Sequence, residues 1–269
     1  VTLSPSSGTR RTALVTGAGS PTGIGFAAAR ALGEAGLAVI LTSTTSRIQD
    51  RVDELRAAGI TAEGHVARLD TETGVDGLFA ALTSTDTPSA DRPMPTVLVN
   101  NAGMVTVGDP EMESGDILID PDQWNRSLAS NLTSAFLVSR AVVPAMRRAS
   151  WGRIVTVSSV TGPAMASRSD VAYAAAKAGM VGLTRALAVD EAPHGITANA
   201  VAPGWIATGS QTPGEAEEGL LVPVGRSGTA DEIASAIAWL ASPGASYITG
   251  QVLVVDGGNS VAEERRFRP

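Results

Sequence analysis

The sequence predicts an α/β fold: a doubly wound, mainly parallel seven-stranded sheet with helices on both faces. Three observations carry this. Short apolar runs alternate with longer helical patterns along the chain, as in successive strand–helix units. Several runs are apolar nearly throughout, among them Val97-Leu98-Val99, Ile154-Val155 and Val252-Leu253-Val254-Val255. Such runs suit strands covered by helices on both faces. The 29 glycines and the 4% of aromatic residues suit close helix–sheet packing better than a β-sandwich.

The elements follow in order. Thr12–Thr16 reads as the first strand and Ile24–Glu34 as the first helix. Ala38–Thr42 and Ile48–Ala57 are the second pair. Thr61–Leu69 is a third strand, followed by a helix at Val75–Leu82. Thr96–Asn100 is the fourth strand. Asp120-Pro121-Asp122-Gln123 opens a long helix to about Arg148, with Asp120 as N-cap and Pro121 in the first turn. Arg153–Ser158 is the fifth strand, Asp170–Glu191 a helix and Ile196–Ala202 the sixth strand. Thr229-Ala230-Asp231-Glu232 has capping-box spacing and opens a helix to Leu240. Gln251–Val255 is the seventh strand. No linker divides the chain. The reading is one domain over residues 12–260, with an arm at 1–11 and a charged tail at 261–269.

Composition excludes several function classes. A net charge of −7 argues against a partner bound through its phosphate backbone, so no nucleic acid is expected. With no cysteine, thiol nucleophiles and thiolate metal sites are excluded. No run approaches the roughly 18 apolar residues of a membrane span, and the polar start lacks a signal-peptide core. The expectation is a cytoplasmic protein without a membrane partner. His65 and His194 are read as structural, and no metal is expected. The acidic stretch 108–120, with Asp109, Glu111, Glu113, Asp116 and Asp120, is read as a solvated loop.

After the first strand comes Thr16-Gly17-Ala18-Gly19-Ser20-Pro21-Thr22-Gly23-Ile24-Gly25. Glycines here let the backbone turn tightly and approach a pyrophosphate at the next helix's N-terminus. The same residues also fit a flexible turn, but their place between strand and helix is that of a Rossmann-type dinucleotide loop. An acid at the end of the second strand would receive the ribose hydroxyls of NAD. The chain instead has Thr42-Ser43-Thr44-Thr45-Ser46-Arg47, with no acid before Asp50. Ser43, Thr44 and Arg47 can accommodate a 2′-phosphate, so NADP(H) is favoured over NAD(H). Arg47 equally fits a solvated residue opening the second helix.

Tyr173-Ala174-Ala175-Ala176-Lys177 places Tyr and Lys on one helix face. A nearby ammonium favours the phenolate and should lower the tyrosine pKa, making a usable proton donor. An ordinary surface pair has the same spacing. A strand ends at Val157-Ser158-Ser159, and Ser159 lies fourteen residues before Tyr173. A serine there could hydrogen-bond a substrate carbonyl.

With these motifs in order, the chain resembles the short-chain dehydrogenases/reductases over about Thr12 to Gly258. The matching features are the glycine loop, Asp70, Asn100-Asn101-Ala102-Gly103, Asn131, Ser159, Tyr173 with Lys177, Pro203-Gly204 and Val255-Asp256-Gly257-Gly258. The resemblance implies that Tyr173 donates the proton. Lys177 would lower its pKa and hold the nicotinamide ribose. Ser159, in preference to Ser158, would orient the carbonyl, and Asn131 would hold a water linking Lys177 to solvent. Gly17, Gly23, Ile24 and Gly25 would cradle the pyrophosphate. Asp70 would meet the adenine, and Asn101-Ala102-Gly103 would run along the adenosine side. Pro203, Gly204, Ile206 and Thr208 would frame the carboxamide. Each has a plainer alternative: Asp70 as a helix cap, Asn101 as a turn stabiliser, Asn131 as a solvated helix residue, Thr208 as a loop hydroxyl. The pattern from Pro223-Val224-Gly225-Arg226 onward is most similar to 3-oxoacyl-carrier-protein reductases. It implies reduction of a small-molecule or carrier-bound carbonyl by a homotetramer. The alternatives are a steroid, polyol or small-alcohol dehydrogenase, or a catalytically silent sensor or scaffold.

The sequence departs from the family pattern in three places, one of them the Ser159–Tyr173 interval, which is one residue longer than in many bacterial members. Five residues separate Gly17 from Gly23, two more than usual, so Ser20–Thr22 should bulge near the phosphates. The segment between Thr208 and Pro223 is short and acidic, with Glu215, Glu217 and Glu218. Its apolar anchors are Leu220, Leu221 and Val222, and it is expected to form an open lid.

Overall fold

The computed structural model describes residues 11–84, 94–103 and 115–263. The arm, apart from Arg11, lies outside them, as do residues 264–269 of the tail and Asp109, Glu111 and Glu113. In chain order the elements are β1 (Thr12–Val15), α1 (Ile24–Glu34), β2 (Ala38–Ser43), α2 (Ile48–Ala57), β3 (Ala62–Val66) and α3 (Glu72–Thr83). Then come β4 (Val97–Asn100), α4 (Pro121–Leu128), α5 (Ser134–Ala149), β5 (Gly152–Val157), α6 (Val171–Glu191) and β6 (Ile196–Pro203). The last are β7 (Ile206–Ala207), α7 (Pro213–Gly219), β8 (Gly228–Thr229), α8 (Ala230–Leu240) and β9 (Val252–Val255). Seven strands form one sheet in the order β3-β2-β1-β4-β5-β6-β9, while β7 and β8 pair apart from it. Every pairing in the large sheet is parallel, as the apolar strand runs predict.

Alternation along each strand divides the core into two layers. Val15, Val39, Val99 and Val155 pack against Leu32 of α1, Val52 of α2 and Ile237 of α8. Their neighbours Leu14, Ile40, Leu98 and Ile154 face Val75 and Leu78 of α3 and Val138, Val142 and Met146 of α5. Burying one such side chain stabilises the fold by about 1.5–3 kcal/mol. The chain runs outward from β1 to β2 and β3, then returns to β4 on the other side of β1. That reversal opens a crevice beyond the carboxyl ends of β1 and β4, where ligands of such sheets bind.

Four local expectations are corrected. The helix from Asp120 to Arg148 is α4 and α5 joined by a π-helical turn, Ala129–Thr133. The turn Ala129–Thr133 contains no proline or glycine that would mark a break in the sequence. The third helix starts at Glu72, where the Thr71 hydroxyl accepts from the Gly74 amide at 3.2 Å. The apolar run of β9 is not covered on both faces: β9 is the sheet's last strand, and Leu253 and Val254 are about one-third exposed. Finally, the segment after Thr208 contains α7, whose Thr212 and Glu215 close a capping box. Of its three expected anchors only Val222 is buried, while Leu220 and Leu221 are exposed.

At the opposite end of the sheet, Arg153 is buried without a carboxylate partner in the hydrogen bonds it makes. Its guanidinium donates to the carbonyls of Gly152 (2.7 Å), Gly195 (3.3 Å) and Ser242 (3.4 Å). It also stacks on Trp151, 4.5 Å from the ring centroid, with Arg11 3.7 Å from the same centroid. Burial and the charge of Arg11 bring its pKa down to about 10. Among the described residues no helix is long and apolar enough to cross a membrane, and no group of three or more His, Asp or Glu could hold a metal.

Candidate active site

The crevice between β1 and β4 is built by hydrogen bonds between the loops that leave them. The Thr16 hydroxyl accepts from the amides of Asn101 and Ala102, both at 3.0 Å. The Asn101 side-chain amide donates back to the Thr16 and Gly17 carbonyls, also at 3.0 Å. Space here is scarce. Gly17 has φ +69°, and a Cβ on it would stand 2.8 Å from the Ala102 Cα. A Cβ on Gly25 would stand 2.5 Å from the Asn101 amide nitrogen and 2.7 Å from the Gly17 carbonyl oxygen. Glycine at both positions therefore lets this loop pack directly against the segment after β4, with the amides of Ile24 and Gly25 in the first turn of α1. Both features fit a dinucleotide's pyrophosphate. Gly25→Ala is expected to weaken dinucleotide binding at least tenfold, read as Kd by fluorescence titration. Unchanged affinity would show that the loop does not approach the ligand.

Beside it lies the turn after β2, where the sequence is expected to meet an adenosine ribose. Gly19 backs onto Ser43, where an added Cβ would come within 2.8 Å of the Ser43 Cβ. The Ser43 hydroxyl donates to the Thr45 carbonyl at 2.6 Å, and Arg47 Nε donates to the Thr45 hydroxyl at 3.2 Å. Thr44 lies exposed inside this turn. Asp70 is not the cap of α3, since Thr71 fills that place. Its carboxylate instead accepts from Arg68 Nη2 at 2.7 Å, a bond that holds the carboxyl below its usual range.

Further along the sheet edge stand the groups that could do chemistry. Tyr173 and Lys177 occupy the first turns of α6. Lys177 is buried, and its Nζ donates to the Val157 carbonyl at the end of β5 at 3.0 Å. The Ser158 hydroxyl is committed to the Lys177 carbonyl at 2.9 Å. The Ser159 hydroxyl accepts from the Thr161 amide at 3.1 Å and lies close enough to Tyr173 to favour its phenolate. Asn131 sits in the π-helical turn, fully buried. Its Nδ2 donates to the Ser127 carbonyl at 3.0 Å, while its Oδ1 has no hydrogen-bond partner among the described residues. The same turn presses Leu132 against Gly179 of α6, two residues beyond Lys177. A Cβ on Gly103 (φ +120°) would stand 2.7 Å from that Oδ1.

Electrostatics correct one expectation from the sequence. Lys177 does not pull Tyr173 down. Burial pushes the phenol up to about 12, the nearby Ser159 hydroxyl works against the rise, and Asp170 and Glu215 add to it. The ammonium lies 5.5 Å from the ring centroid and directs its hydrogen bond to Val157. Burial brings Lys177 itself down to about 8. Desolvation of the pair therefore outweighs their mutual effect.

The remaining predicted residues lie at the end of β6 and after it. Pro203 accepts from the Val160 amide at 3.0 Å, which fixes this corner beside Ser159. A Cβ on Gly204 would meet that of Asp256 at 2.7 Å. Thr208 follows Ile206, whose carbonyl takes its amide at 2.9 Å, and its hydroxyl pairs with that of Ser210 at 2.9 Å.

A family model described as enoyl-(acyl carrier protein) reductase, from the short-chain dehydrogenase/reductase group, matches residues 17–260. The chain is a short-chain dehydrogenase/reductase. It is accordingly an NAD(P)-dependent oxidoreductase. It is 38% identical over 253 residues to a 3-oxoacyl-(acyl-carrier-protein) reductase of Pseudomonas aeruginosa, covering 92% of this chain and 96% of that one. A reductase of the same name from Salmonella typhimurium is 39% identical over 250 residues, covering 91% and 96%. The solved structure of a provisionally named gluconate dehydrogenase from Agrobacterium tumefaciens superposes with a TM-score of 0.84. It is 31% identical and covers 94% of this chain and 97% of that one.

Within this short-chain dehydrogenase/reductase the structure brings Asn131, Ser159, Tyr173 and Lys177 onto elements around the ends of β4, β5 and α6. It sets the glycine loop, Asn101–Gly103 and Ser43–Arg47 along the neighbouring crevice. Sequence reasoning missed Gly19, Thr22 and Arg68. Gly19 was signalled only by the loop's extra length, and Arg68 only by its place two residues before Asp70.

Proposed function

We propose that the chain reduces a ketone or 3-oxoacyl carbonyl to a secondary alcohol with NADP(H), using Tyr173 as proton donor. One observation carries the reading: Tyr173 stands on the first turn of α6 close to Ser159, just past the end of β5, and beside the buried Lys177, at the sheet edge that bears the dinucleotide cradle. Two hydroxyls so placed can meet one carbonyl oxygen. The bound nicotinamide supplies a hydride to the carbonyl carbon. Tyr173 gives its proton to the oxygen, so the carbonyl becomes an alcohol with charge balanced. Ser159 holds that oxygen during the transfer. Lys177 supplies positive charge beneath the phenol as it loses its proton, and it holds the nicotinamide ribose. Asn131, with its unpartnered buried oxygen, holds a water that leads from Lys177 to solvent.

Cofactor preference rests on Ser43, Thr44 and Arg47, with no acid in the turn after β2 to repel a 2′-phosphate. NADPH is expected to exceed NADH in kcat/KM by at least tenfold. Arg47→Ala should lower the NADPH value about tenfold and leave NADH nearly unchanged, as for one charge-assisted hydrogen bond. A wild-type preference for NADH would overturn this choice.

The substrate class follows the curated relatives, whose names specify 3-oxoacyl groups on a carrier protein. The gluconate dehydrogenase name favours a second reading, oxidation of a polyol-type alcohol. Following NADPH consumption with 3-oxoacyl thioesters, and NADP+ reduction with polyols, separates the two. Failure of both with a chain that binds the dinucleotide would point to a silent sensor. We further propose a single domain over residues 12–260, a cytoplasmic location and a homotetramer. Exposed Phe136 on α5, Val189 on α6 and Leu253 on β9 support the assembly.

A further inference from the structure

The two extra residues of the glycine loop form a built feature. The Gly23 amide donates to the Ser20 carbonyl at 3.2 Å, closing a turn with Pro21 and Thr22 at its centre. Proline presets its own φ, so this turn needs little further ordering. Its tip presents Thr22, and the Thr22 hydroxyl accepts from the Gly209 amide at 2.8 Å, across 187 residues of sequence. Gly209 follows Thr208 directly. A Cβ on Gly209 would stand 3.0 Å from that hydroxyl oxygen, so the contact is close as well as polar. On the far side the Gln211 amide donates to the Thr208 carbonyl at 3.0 Å, making residues 208–211 one compact turn.

This bond joins two places that serve different parts of one ligand. The glycine loop faces the pyrophosphate, and Ile206 with Thr208 faces the carboxamide. We propose that Thr22 is a positioning residue for the dinucleotide, tying the pyrophosphate loop to the Thr208 turn and setting the spacing between them before the cofactor enters. This rests on the reading of the crevice as a nicotinamide dinucleotide site. Holding the two cradles at the ligand's own spacing removes an ordering cost from binding.

The test compares Thr22→Val, which keeps the shape and removes the acceptor, with Thr22→Ser, which keeps the acceptor. Thr22→Val is expected to raise the Kd of NADPH and of NADH alike by about five- to tenfold, the scale of one hydrogen bond. The loss should appear in Kd and in the cofactor KM more than in kcat, and Thr22→Ser should restore it. If Thr22→Val binds both dinucleotides as the wild type does, the proposal is wrong. Equal loss in Thr22→Ser would also overturn it. A wild-type chain with no affinity for either dinucleotide overturns the site reading, and this proposal with it.

Discussion

Tyr173→Phe is expected to lower carbonyl reduction about a thousandfold, within the 10²–10⁴ range of a positioned general acid. The substitution removes one oxygen and keeps the ring. Ser159 still offers a hydroxyl to the carbonyl, and Lys177 still donates to Val157. Only the proton source is lost. Dinucleotide affinity, measured by titration, should stay within about twofold because the crevice at β1 and β4 is untouched. Because burial holds the phenol near 12, it remains protonated throughout the usable pH range and is ready to donate. A variant within tenfold of wild-type turnover would remove Tyr173 from the role of donor.

Lys177→Met should make the protein inactive and more stable. The ammonium is fully enclosed, and burial lowers its pKa from 10.5 to about 8. Between those values the unfolded chain binds more protons than the folded one, so stability rises with pH from about 8 to 10.5. Below pH 8 both states are charged and the fold carries the whole cost, about 3 kcal/mol. Methionine fills a similar volume without charge but leaves the Val157 carbonyl without this donor. The net gain at pH 7 is therefore expected at about 1–3 kcal/mol, or a Tm higher by about 3–10 °C. The gap should close as pH rises towards 10. A variant that melts lower than wild type at pH 7, with a gap constant up to pH 10, would show that the lysine's charge is not costly. The wild type's carbonyl reduction should itself decline above about pH 8, as Lys177 loses its proton.

The parallel sheet was legible because burial on both faces leaves whole strands apolar, as in Val97-Leu98-Val99. Helix starts were legible where a side chain caps them: Asp120 accepts from the Asp122 amide and Thr229 closes its box with Glu232. What escaped has physical causes. The π-helical turn at 129–133 contains no proline or glycine to mark it. Helix α7 is seven residues long, too short for periodicity to register. Burial of Tyr173 and Lys177 decides their ionisation, and a pentapeptide says nothing of burial. The buried guanidinium of Arg153 is solvated by three backbone carbonyls that converge only once the strands and their connections are assembled. Among the site residues, those on the glycine loop and on α6 stood out by spacing. Thr22 meets Gly209, a partner 187 residues away that the sequence does not place beside it.

The contact between Gly103 and Asn131 gives the molecule a dividing wall one residue thick. On one side runs the loop along the crevice; on the other lies the unpartnered oxygen of Asn131. Any side chain at position 103 would push into that oxygen, so the two sides cannot be altered independently there. The stretch from Gly209 to Leu221 is different, with much of its surface open to solvent. Substitutions on that open surface leave the wall unchanged, but at Gly209 they meet the Thr22 hydroxyl of the glycine loop.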